Sequence, residues 1–221
     1  MTIAERALDL IQDGYTVGLG SGRAATAFVE ALGTRVRGGL RVRGVPTSQA
    51  TADVATRCGI PLTSLTEDTG IDVTVDGADE VDPQLNLIKG YGGALVREKI
   101  VAAASRRLVI LVGAEKLVPV LGTRGTLPVE VVPFGAGSCR RRLQAMGHAS
   151  TVRATDGRVF VTDNGNHILD CRVTAIADPA ELDRAIRSIP GVVGTGLFVG
   201  MADMVLIQDG ERIETRQRGA T

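Results

Sequence analysis

The segment 76–99 concentrates residue types that could do acid–base chemistry on a small molecule. Four carboxylates crowd one short loop that follows an apolar strand pattern, namely Asp76, Asp79, Glu80 and Asp82. Like charges this close disfavour joint ionisation unless cations or hydrogen-bond donors offset them, and Lys89 is the nearest candidate cation. The segment therefore predicts an active site. A magnesium site in the acidic cluster is an alternative, although the spacing is not that of a calcium loop.

Glu98 is the candidate general base. It lies in the predicted helix Ala94–Ser105, between Arg97 and Lys99. Its neighbours at helical spacing are apolar, namely Ala94, Leu95, Val101 and Ala102. Desolvation on such a stripe would raise the pKa of the carboxyl group toward the range of a working base. A solvated or salt-bridged Glu98 is the alternative.

The loop Gly20–Ala24 carries glycines between a predicted strand and a predicted helix. Such a loop can hold a dinucleotide pyrophosphate or a single phosphate. The dinucleotide interpretation needs an acidic residue about 20 positions later. The second strand carries Arg41 and Arg43 instead, which disfavours NAD and leaves NADP as a weaker possibility. A lone phosphate bound by backbone N–H groups, with Ser21 and Arg23 beside it, needs fewer assumptions. A tight turn without a ligand is the remaining alternative.

The elements that must position these residues alternate between strand and helix. The predicted strands are Tyr15–Leu19, Leu40–Val45, Ile71–Val75 and Leu108–Val112, and the predicted helices are Arg23–Leu32, Gln49–Cys58 and Ala94–Ser105. This alternation predicts a doubly wound parallel sheet. The loops after the four strands are GSGR, PTSQ, DGADE and GAEK. Because ligands bind beyond the carboxyl ends of such strands, these loops are expected to lie at one site.

The pattern changes after residue 126 and predicts a smaller α+β domain. Its predicted elements are a strand between Pro128 and Pro133, a helix Cys139–Met146, a hairpin of Val159–Thr162 and His167–Val173 with a type I′ turn at Asn164-Gly165, and a helix Pro179–Ile189 capped by Asp178. A second hairpin, Val205–Thr215 around Asp209-Gly210, is placed back on the large domain. The predicted domains are therefore 1–125 with 197–221, and 126–196.

Composition excludes several classes of protein. The chain has 221 residues, 44% hydrophobic content and a formal net charge of zero, so it can bury a core in one or two domains. With no Trp, 3% aromatic residues and balanced charge, the chain lacks both the aromatic stacking platform and the positively charged surface that nucleic-acid binding needs. No apolar run is long enough for a membrane helix, and the N-terminus is unlike a signal peptide, so a cytoplasmic location is expected.

The cysteines and histidines carry little of the predicted chemistry. Cys58, Cys139 and Cys171 are far apart in sequence, which favours reduced, buried thiols over disulfides, and none has metal-site spacing. His148 and His167 lie in the predicted small domain with no nucleophile nearby in sequence. Packing or surface roles are expected for both.

Taken together, seven motifs resemble the ribose-5-phosphate isomerase A family across nearly the whole chain. They are GLGSGRAATAF, PTSQAT, DGADEVDPQLNLIKGYGGALVREKIV, GAEKLVPVLG, LPVEVVPF, VTDNGN and IPGVVGTGLF. The resemblance implies an aldose–ketose isomerase, without cofactor or metal, that interconverts D-ribose 5-phosphate and D-ribulose 5-phosphate through an enediolate in the non-oxidative pentose phosphate pathway. It also implies a Rossmann-like domain with an inserted ferredoxin-like domain, and a homodimer or homotetramer.

The resemblance assigns roles to residues of this chain. The proton acceptor falls on Glu98, and the paired aspartates that hold sugar hydroxyls and help open the furanose ring fall on Asp76 and Asp79. The family's lysine falls on Lys89. The implied substrate-binding residues are Ser21, Gly22, Arg23, Ala24, Gly77, Ala78, Gly90, Tyr91, Gly92 and Lys116.

The chain departs from the family pattern at two loops. Where relatives usually have a glycine-threonine-glycine-serine-threonine loop, residues 20–24 lose two hydroxyls and gain the guanidinium of Arg23. No lysine precedes Lys89, so a basic residue of the family's first helix has no counterpart, and Arg23 is expected to replace its charge. Tyr91 stands where a glycine is usual. The rival functions are a non-catalytic sugar-phosphate sensor and an NADP-binding oxidoreductase.

Overall fold

A computed structural model describes residues 1–219. The helices are α1 Ile3–Leu8, α2 Arg23–Arg37, α3 Gln49–Arg57, α4 Leu95–Ala103, α5 Ala136–Ala145 and α6 Pro179–Arg187. The strands are β1 Thr16–Leu19, β2 Arg43–Pro46, β3 Val73–Gly77, β4 Glu80–Val81, β5 Leu87–Ile88, β6 Leu108–Gly113, β7 Thr126–Val131, β8 Ser150–Val152, β9 Ala154–Thr155, β10 Arg158–Val159, β11 His167–Arg172, β12 Val192–Thr195, β13 Leu197–Phe198, β14 Met204–Asp209 and β15 Arg212–Gln217. Short 3₁₀ turns cover Ala114–Lys116 and Pro133–Gly135.

The chain forms two compact units. The first unit comprises Met1–Ala78, Arg97–Lys116 and Met201–Thr221, and the second comprises Asp79–Val96 and Leu117–Gly200. The predicted small domain, 126–196, lies within the second unit. That unit also takes in 79–96, because β4 and β5 form a three-stranded sheet with β13 near the end of its second segment.

The first unit is built on a six-stranded sheet in the order β2-β1-β3-β6-β14-β15. Strands β2, β1, β3, β6 and β14 pair in parallel, and β15 runs antiparallel beside β14. In chain order the parallel strands read 2-1-3-4-5, a doubly wound arrangement with its topological switch point between β1 and β3. The predicted Rossmann-like fold is confirmed. So is the placement of the Asp209-Gly210 hairpin on this sheet.

Helices cover both faces of the first unit's sheet. Val17 and Leu19 of β1 share a buried cluster with Phe28 of α2. Successive residues of a strand point to opposite faces, so Gly18 faces the other way. A Cβ at Gly18 would lie 1.9 Å from Thr74 Oγ1 and 2.8 Å from Val101 Cγ1, which explains the glycine: α4 packs closely against this face.

The second unit contains a ferredoxin-like βαββαβ fold, as the family resemblance implied. Along the chain it runs β7, α5, β8, β11, α6 and β12, and its four-stranded sheet has the order β12-β7-β11-β8. Every pairing in this sheet is antiparallel. Leu127, Val129 and Val131 project from β7 into a core shared with α5 and α6.

The predicted start of α6 is confirmed, and the predicted end of α2 is wrong. The Asp178 carboxylate accepts a hydrogen bond from the Glu181 N–H (2.9 Å), which confirms the predicted cap of α6. Helix α2 continues past the predicted end at Leu32 because Gly33 is not a stop signal here. A Cβ at Gly33 would lie 2.5 Å from Cys58 Cβ, so glycine lets α2 pack closely against the end of α3.

Two predictions for the second unit are wrong. Strand β7 begins before Pro128 instead of after it, and the carbonyl of this proline accepts a hydrogen bond from the Gly196 N–H (2.8 Å). The turn at Asn164-Gly165 is not type I′, which needs positive φ at both central residues. Gly165 has φ +77°, but Asn164 does not have a positive φ. The Asn164 side-chain amide donates to the buried Glu130 carboxylate (3.1 Å). The predicted hairpin is reduced to an isolated bridge between Val161 and His167, and β11 pairs with β7 and β8.

All three cysteines are free thiols, as predicted, but only Cys139 and Cys171 are buried, and Cys58 is half-buried. Burial raises the pKa of the Cys171 thiol to about 12 and raises that of Cys139 above its ordinary value. These two thiols are therefore protonated at neutral pH and poorly reactive. No helix within residues 1–219 has the length and apolar character needed to cross a bilayer.

Candidate active site

Asp76 lies at the switch point of the first unit's sheet. It belongs to β3, so this strand runs through the first acid instead of ending before it as predicted. The side chain is buried (1% exposed), and its Oδ1 accepts hydrogen bonds from the N–H groups of Ser21 (3.1 Å) and Gly77 (2.7 Å). Two backbone donors stabilise the ionised carboxylate. The structure thus brings the glycine loop after β1 and the first aspartate together, as the sequence predicted.

Gly20 makes this arrangement possible. A Cβ at position 20 would lie 2.2 Å from Oδ1 and 2.6 Å from Cα of Asp76. We expect Gly20→Ala to lower the free energy of unfolding by about 1–3 kcal/mol, typical of overpacking, and to lower kcat/KM by displacing Asp76. Urea unfolding and steady-state kinetics measure the two effects. Gly70→Ala is the control, since a Cβ there meets no atom within 4 Å. A Gly20→Ala protein as stable and active as Gly70→Ala would contradict this packing.

The Ser21 hydroxyl is the centre of a cluster that sequence analysis missed. Its Oγ lies 2.8 Å from Thr47 Oγ1, 2.7 Å from Ser48 Oγ and 3.1 Å from Thr51 Oγ1. Ser48 also caps α3 by accepting from the Thr51 N–H (3.1 Å). These hydroxyls tie the loops after β1 and β2 together. The signal was present in the PTSQAT motif, where the hydroxyl residues directly follow β2.

The N-terminus of α2 begins beside this cluster. Gly22 occupies the N-cap position with φ +93°, a left-handed conformation that favours glycine, and no side chain caps the helix. Arg23 is the first helical residue and its side chain is exposed, while Ala24 is half-buried. Backbone N–H groups at such a helix start are suited to binding an anion.

Glu98 lies in the first turn of α4 and is 4% exposed. Leu95, Val101 and Ala102, three of its predicted apolar neighbours, are also buried. The solvated alternative for Glu98 is therefore wrong, and the apolar stripe is confirmed. Lys116 is half-buried in the 3₁₀ turn that follows β6.

The acidic segment is not the single crowded loop that the sequence suggested. Glu80 belongs to β4 and is fully buried, and its two carboxylate oxygens accept from the N–H groups of Gly122 and Arg124, each at 2.6 Å. Asp82 holds its own turn by accepting from the N–H groups of Gln84 and Asn86. Of the two means of compensation that the sequence analysis allowed, cations or hydrogen-bond donors, backbone donors serve Glu80 and Asp82.

In the second unit, Asp79 contacts the loop that follows β5. Its Oδ2 accepts a hydrogen bond from the Tyr91 N–H (3.0 Å). Lys89 precedes that loop and is 3% exposed, with its Nζ 5.5 Å from the centre of the Phe198 ring. A buried ammonium over an aromatic face is a cation–π arrangement. The predicted residues Asp79 and Tyr91 are thus brought together, and Lys89 is buried beside the Phe198 ring.

The Tyr91 side chain, which stands where the family usually has glycine, contacts the start of β7. Its hydroxyl donates to the Thr126 carbonyl (3.2 Å), and the residue is 38% exposed. Burial of the phenol, with the carboxylates of Glu80 and Asp79, raises the pKa of Tyr91 to about 12. The phenol is therefore neutral at ordinary pH and does not supply a charge.

The remaining candidates do not form a metal centre. Within the described residues, no three His, Cys, Asp or Glu side chains are grouped as metal ligands. His148 is half-buried, with its Nδ1 3.4 Å from the Arg172 carbonyl, and His167 begins β11. Both histidines therefore have structural positions, in or beside the four-stranded sheet.

The fold and these residues define a Rossmann-like α/β protein with a candidate ligand site at the switch point of its sheet. The family model of ribose 5-phosphate isomerase A (phosphoriboisomerase A) matches residues 43–212. This chain therefore belongs to the ribose 5-phosphate isomerase A family, and the predicted resemblance is confirmed.

Individual relatives are similar over nearly their whole length. Ribose-5-phosphate isomerase A of Gloeobacter violaceus is 55% identical over 96% of this chain and 93% of its own. The protein of the same name from Bradyrhizobium diazoefficiens is 51% identical over 97% and 93%. A solved D-ribose-5-phosphate isomerase in complex with phospho-erythronic acid is 36% identical, covers 97% of this chain and 96% of its own, and superposes with a TM-score of 0.94.

Proposed function

We propose that this protein is an aldose–ketose isomerase that interconverts D-ribose 5-phosphate and D-ribulose 5-phosphate in the non-oxidative pentose phosphate pathway. The observation that carries the proposal is the buried carboxylate of Glu98 in a chain about half identical to named isomerases along nearly its full length. A solved relative bound to phospho-erythronic acid, a four-carbon acid phosphate, supports a sugar phosphate as the substrate.

Four residues have roles in the proposed reaction. Glu98 removes the proton from C2 of the open-chain aldose, and the electron pair moves onto the carbonyl oxygen to give an enediolate. A proton then passes from the C2 hydroxyl oxygen to the C1 oxygen, and Glu98 returns its proton to C1 to give the ketose. Lys89 provides positive charge for the developing oxyanion. Asp76 and Asp79 hold sugar hydroxyls and assist ring opening.

The phosphate is assigned to the start of α2. Backbone N–H groups of Gly22 and Ala24 and the guanidinium of Arg23 provide donors for it, with the Ser21 hydroxyl beside them. The phosphate lies far from the reacting carbons, so its binding energy serves to orient them. Gly77, Ala78, Gly90, Tyr91, Gly92 and Lys116 complete the proposed substrate-binding set.

We expect Arg23→Gln to raise KM for ribose 5-phosphate about tenfold with a smaller change in kcat. A charge-assisted hydrogen bond contributes about 1.5–3 kcal/mol, and exposure of the Arg23 side chain places it at the low end. Steady-state kinetics at low and moderate salt measure the change, which salt should diminish. Arg35→Gln, at an exposed position on the same helix, is the matched control. An unchanged KM in Arg23→Gln would refute the role of this arginine.

The direct test follows conversion of D-ribose 5-phosphate to the ketose by ultraviolet absorbance, without added metal or nucleotide. Turnover by the wild type supports the isomerase. A wild type that binds the sugar phosphate without turnover would favour the sensor. Binding of NADPH in a fluorescence titration would favour the oxidoreductase.

The proposal extends to location and assembly. We propose a cytoplasmic enzyme that forms a homodimer or homotetramer and needs no cofactor. The family to which the chain belongs supports this proposal. Light scattering of the purified protein measures the assembly directly.

A further inference from the structure

Arg153 is a half-buried cation that the proposed reaction does not use. It follows β8 in the second unit, and only 14% of its side chain is exposed. Its Nε and Nη2 form a two-pronged ion pair with the Asp170 carboxylate on β11. The remaining nitrogen, Nη1, donates to the carbonyls of Gly90 (2.7 Å) and Tyr91 (3.1 Å). The guanidinium therefore connects the four-stranded sheet to the loop after Lys89.

One peptide group joins Arg153 to a proposed catalytic residue. The Gly90 carbonyl and the Tyr91 N–H belong to the same amide. Arg153 donates to its oxygen, while its N–H donates to Asp79 Oδ2 at 3.0 Å. A cation at the oxygen polarises the amide and strengthens its N–H as a donor, because linked hydrogen bonds reinforce one another. The arrangement is a continuous series of guanidinium, peptide and carboxylate.

The loop around this peptide is a tight turn. Gly90 has φ +108°, and a Cβ there would lie 3.0 Å from Leu95 Cβ and 3.3 Å from Pro128 Cβ. The Gly90 carbonyl also accepts from the Gly93 N–H (3.0 Å), which closes a tight turn. The orientation of the peptide plane, and with it the direction of the Tyr91 N–H, therefore depends on what binds the two carbonyls.

We propose that Arg153, anchored by Asp170, is a positioning residue that orients the Asp79 carboxylate through the Gly90–Tyr91 peptide. The inference rests on the proposed function, since Asp79 is assigned there to the sugar hydroxyls. A partly buried ion pair is weak evidence of a contribution to stability alone. Arg153 does more than pair with Asp170, because its Nη1 also donates to the carbonyls of Gly90 and Tyr91 in the proposed substrate-binding loop.

The test is a double-mutant cycle between Arg153→Gln and Asp79→Asn. We expect Arg153→Gln to lower kcat/KM for ribose 5-phosphate about 10- to 100-fold, the range expected when a reacting group is misplaced by about 1 Å. In the Asp79→Asn background the same change should cost less than about threefold, because coupled residues are not additive. Arg153→Lys keeps the charge but cannot form the two-pronged ion pair with Asp170, so its activity should lie between those of Arg153→Gln and the wild type.

Two further measurements separate positioning from a general loss of structure. Affinity for phospho-erythronic acid, measured by calorimetry, should fall in Arg153→Gln, while inhibition by inorganic phosphate should stay within about twofold, since the phosphate donors lie elsewhere. Asp170→Asn, which retains the guanidinium but weakens its anchor, should show the same selectivity. Arg158→Gln, at an exposed position in the β9–β10 hairpin, is the control.

Additive losses in the cycle would overturn the inference, as would equal losses of phosphate inhibition and phospho-erythronic acid binding. If Arg153→Gln does not fold, the double-mutant cycle with Asp79→Asn is measured with Asp170→Asn and with Arg153→Lys. A wild type that binds phospho-erythronic acid without turnover would count against the proposed isomerase. The binding arm of the cycle would still decide the role of Arg153.

Discussion

Glu98→Gln is expected to lower kcat about 10²- to 10⁴-fold, the usual contribution of a positioned general base. The amide of glutamine is nearly the same size as the carboxyl group, so α4 should keep its packing, but it cannot accept the C2 proton. The residue is 4% exposed, which leaves little room for water to replace the base. Affinity for phospho-erythronic acid, by calorimetry, should change much less than kcat.

Exchange of the C2 proton with solvent deuterium gives a second measurement of the same step. Glu98→Gln should lose exchange and turnover together, because both need proton removal. Glu30→Gln, at an exposed position on α2, is the matched control and should behave as the wild type. A Glu98→Gln enzyme within about tenfold of wild-type kcat would mean that another group is the base.

The second large effect is expected for Lys89→Met, which should lower kcat about 10²- to 10³-fold. The methionine side chain is close in length to the lysine stem and packs well against an aromatic ring, so contact with Phe198 should survive. What is lost is a fixed positive charge in a buried position, where electrostatic stabilisation of an enediolate is strongest.

The control for Lys89→Met is Lys99→Met, which removes a lysine charge from α4 at a position with no proposed role. If both variants lose the same activity, the effect reflects net charge and not the position of Lys89.

The large sheet could be predicted from sequence because its signals are local. Apolar runs such as Leu108–Val112 and the turn residues between them set the strands, and the doubly wound pattern then fixes where the loops meet. The contact between the Gly20–Ala24 loop and Asp76 follows from that topology. Burial of Glu98 followed from the residues at helical spacing on α4.

What failed depends on contacts between residues distant in sequence. Gly33 resembles a helix stop, and only its close approach to Cys58 explains why α2 continues. Asn164-Gly165 has the composition of a type I′ turn, but a buried glutamate on another strand recruits the asparagine side chain. Arg153 gave no sequence signal, because its partners on β11 and after β5 lie far away along the chain.

The strand order of the first unit has a consequence for how the protein is synthesised. Residues 109–113 of β6 pair with residues 204–208 of β14. Until the ribosome has made residue 209, the uncharged LVILVG segment has an open edge, which is a site for association with other chains. The four-stranded sheet needs only residues up to 195. It can therefore close first, while the sheet that carries Asp76 is completed by its last-made strands.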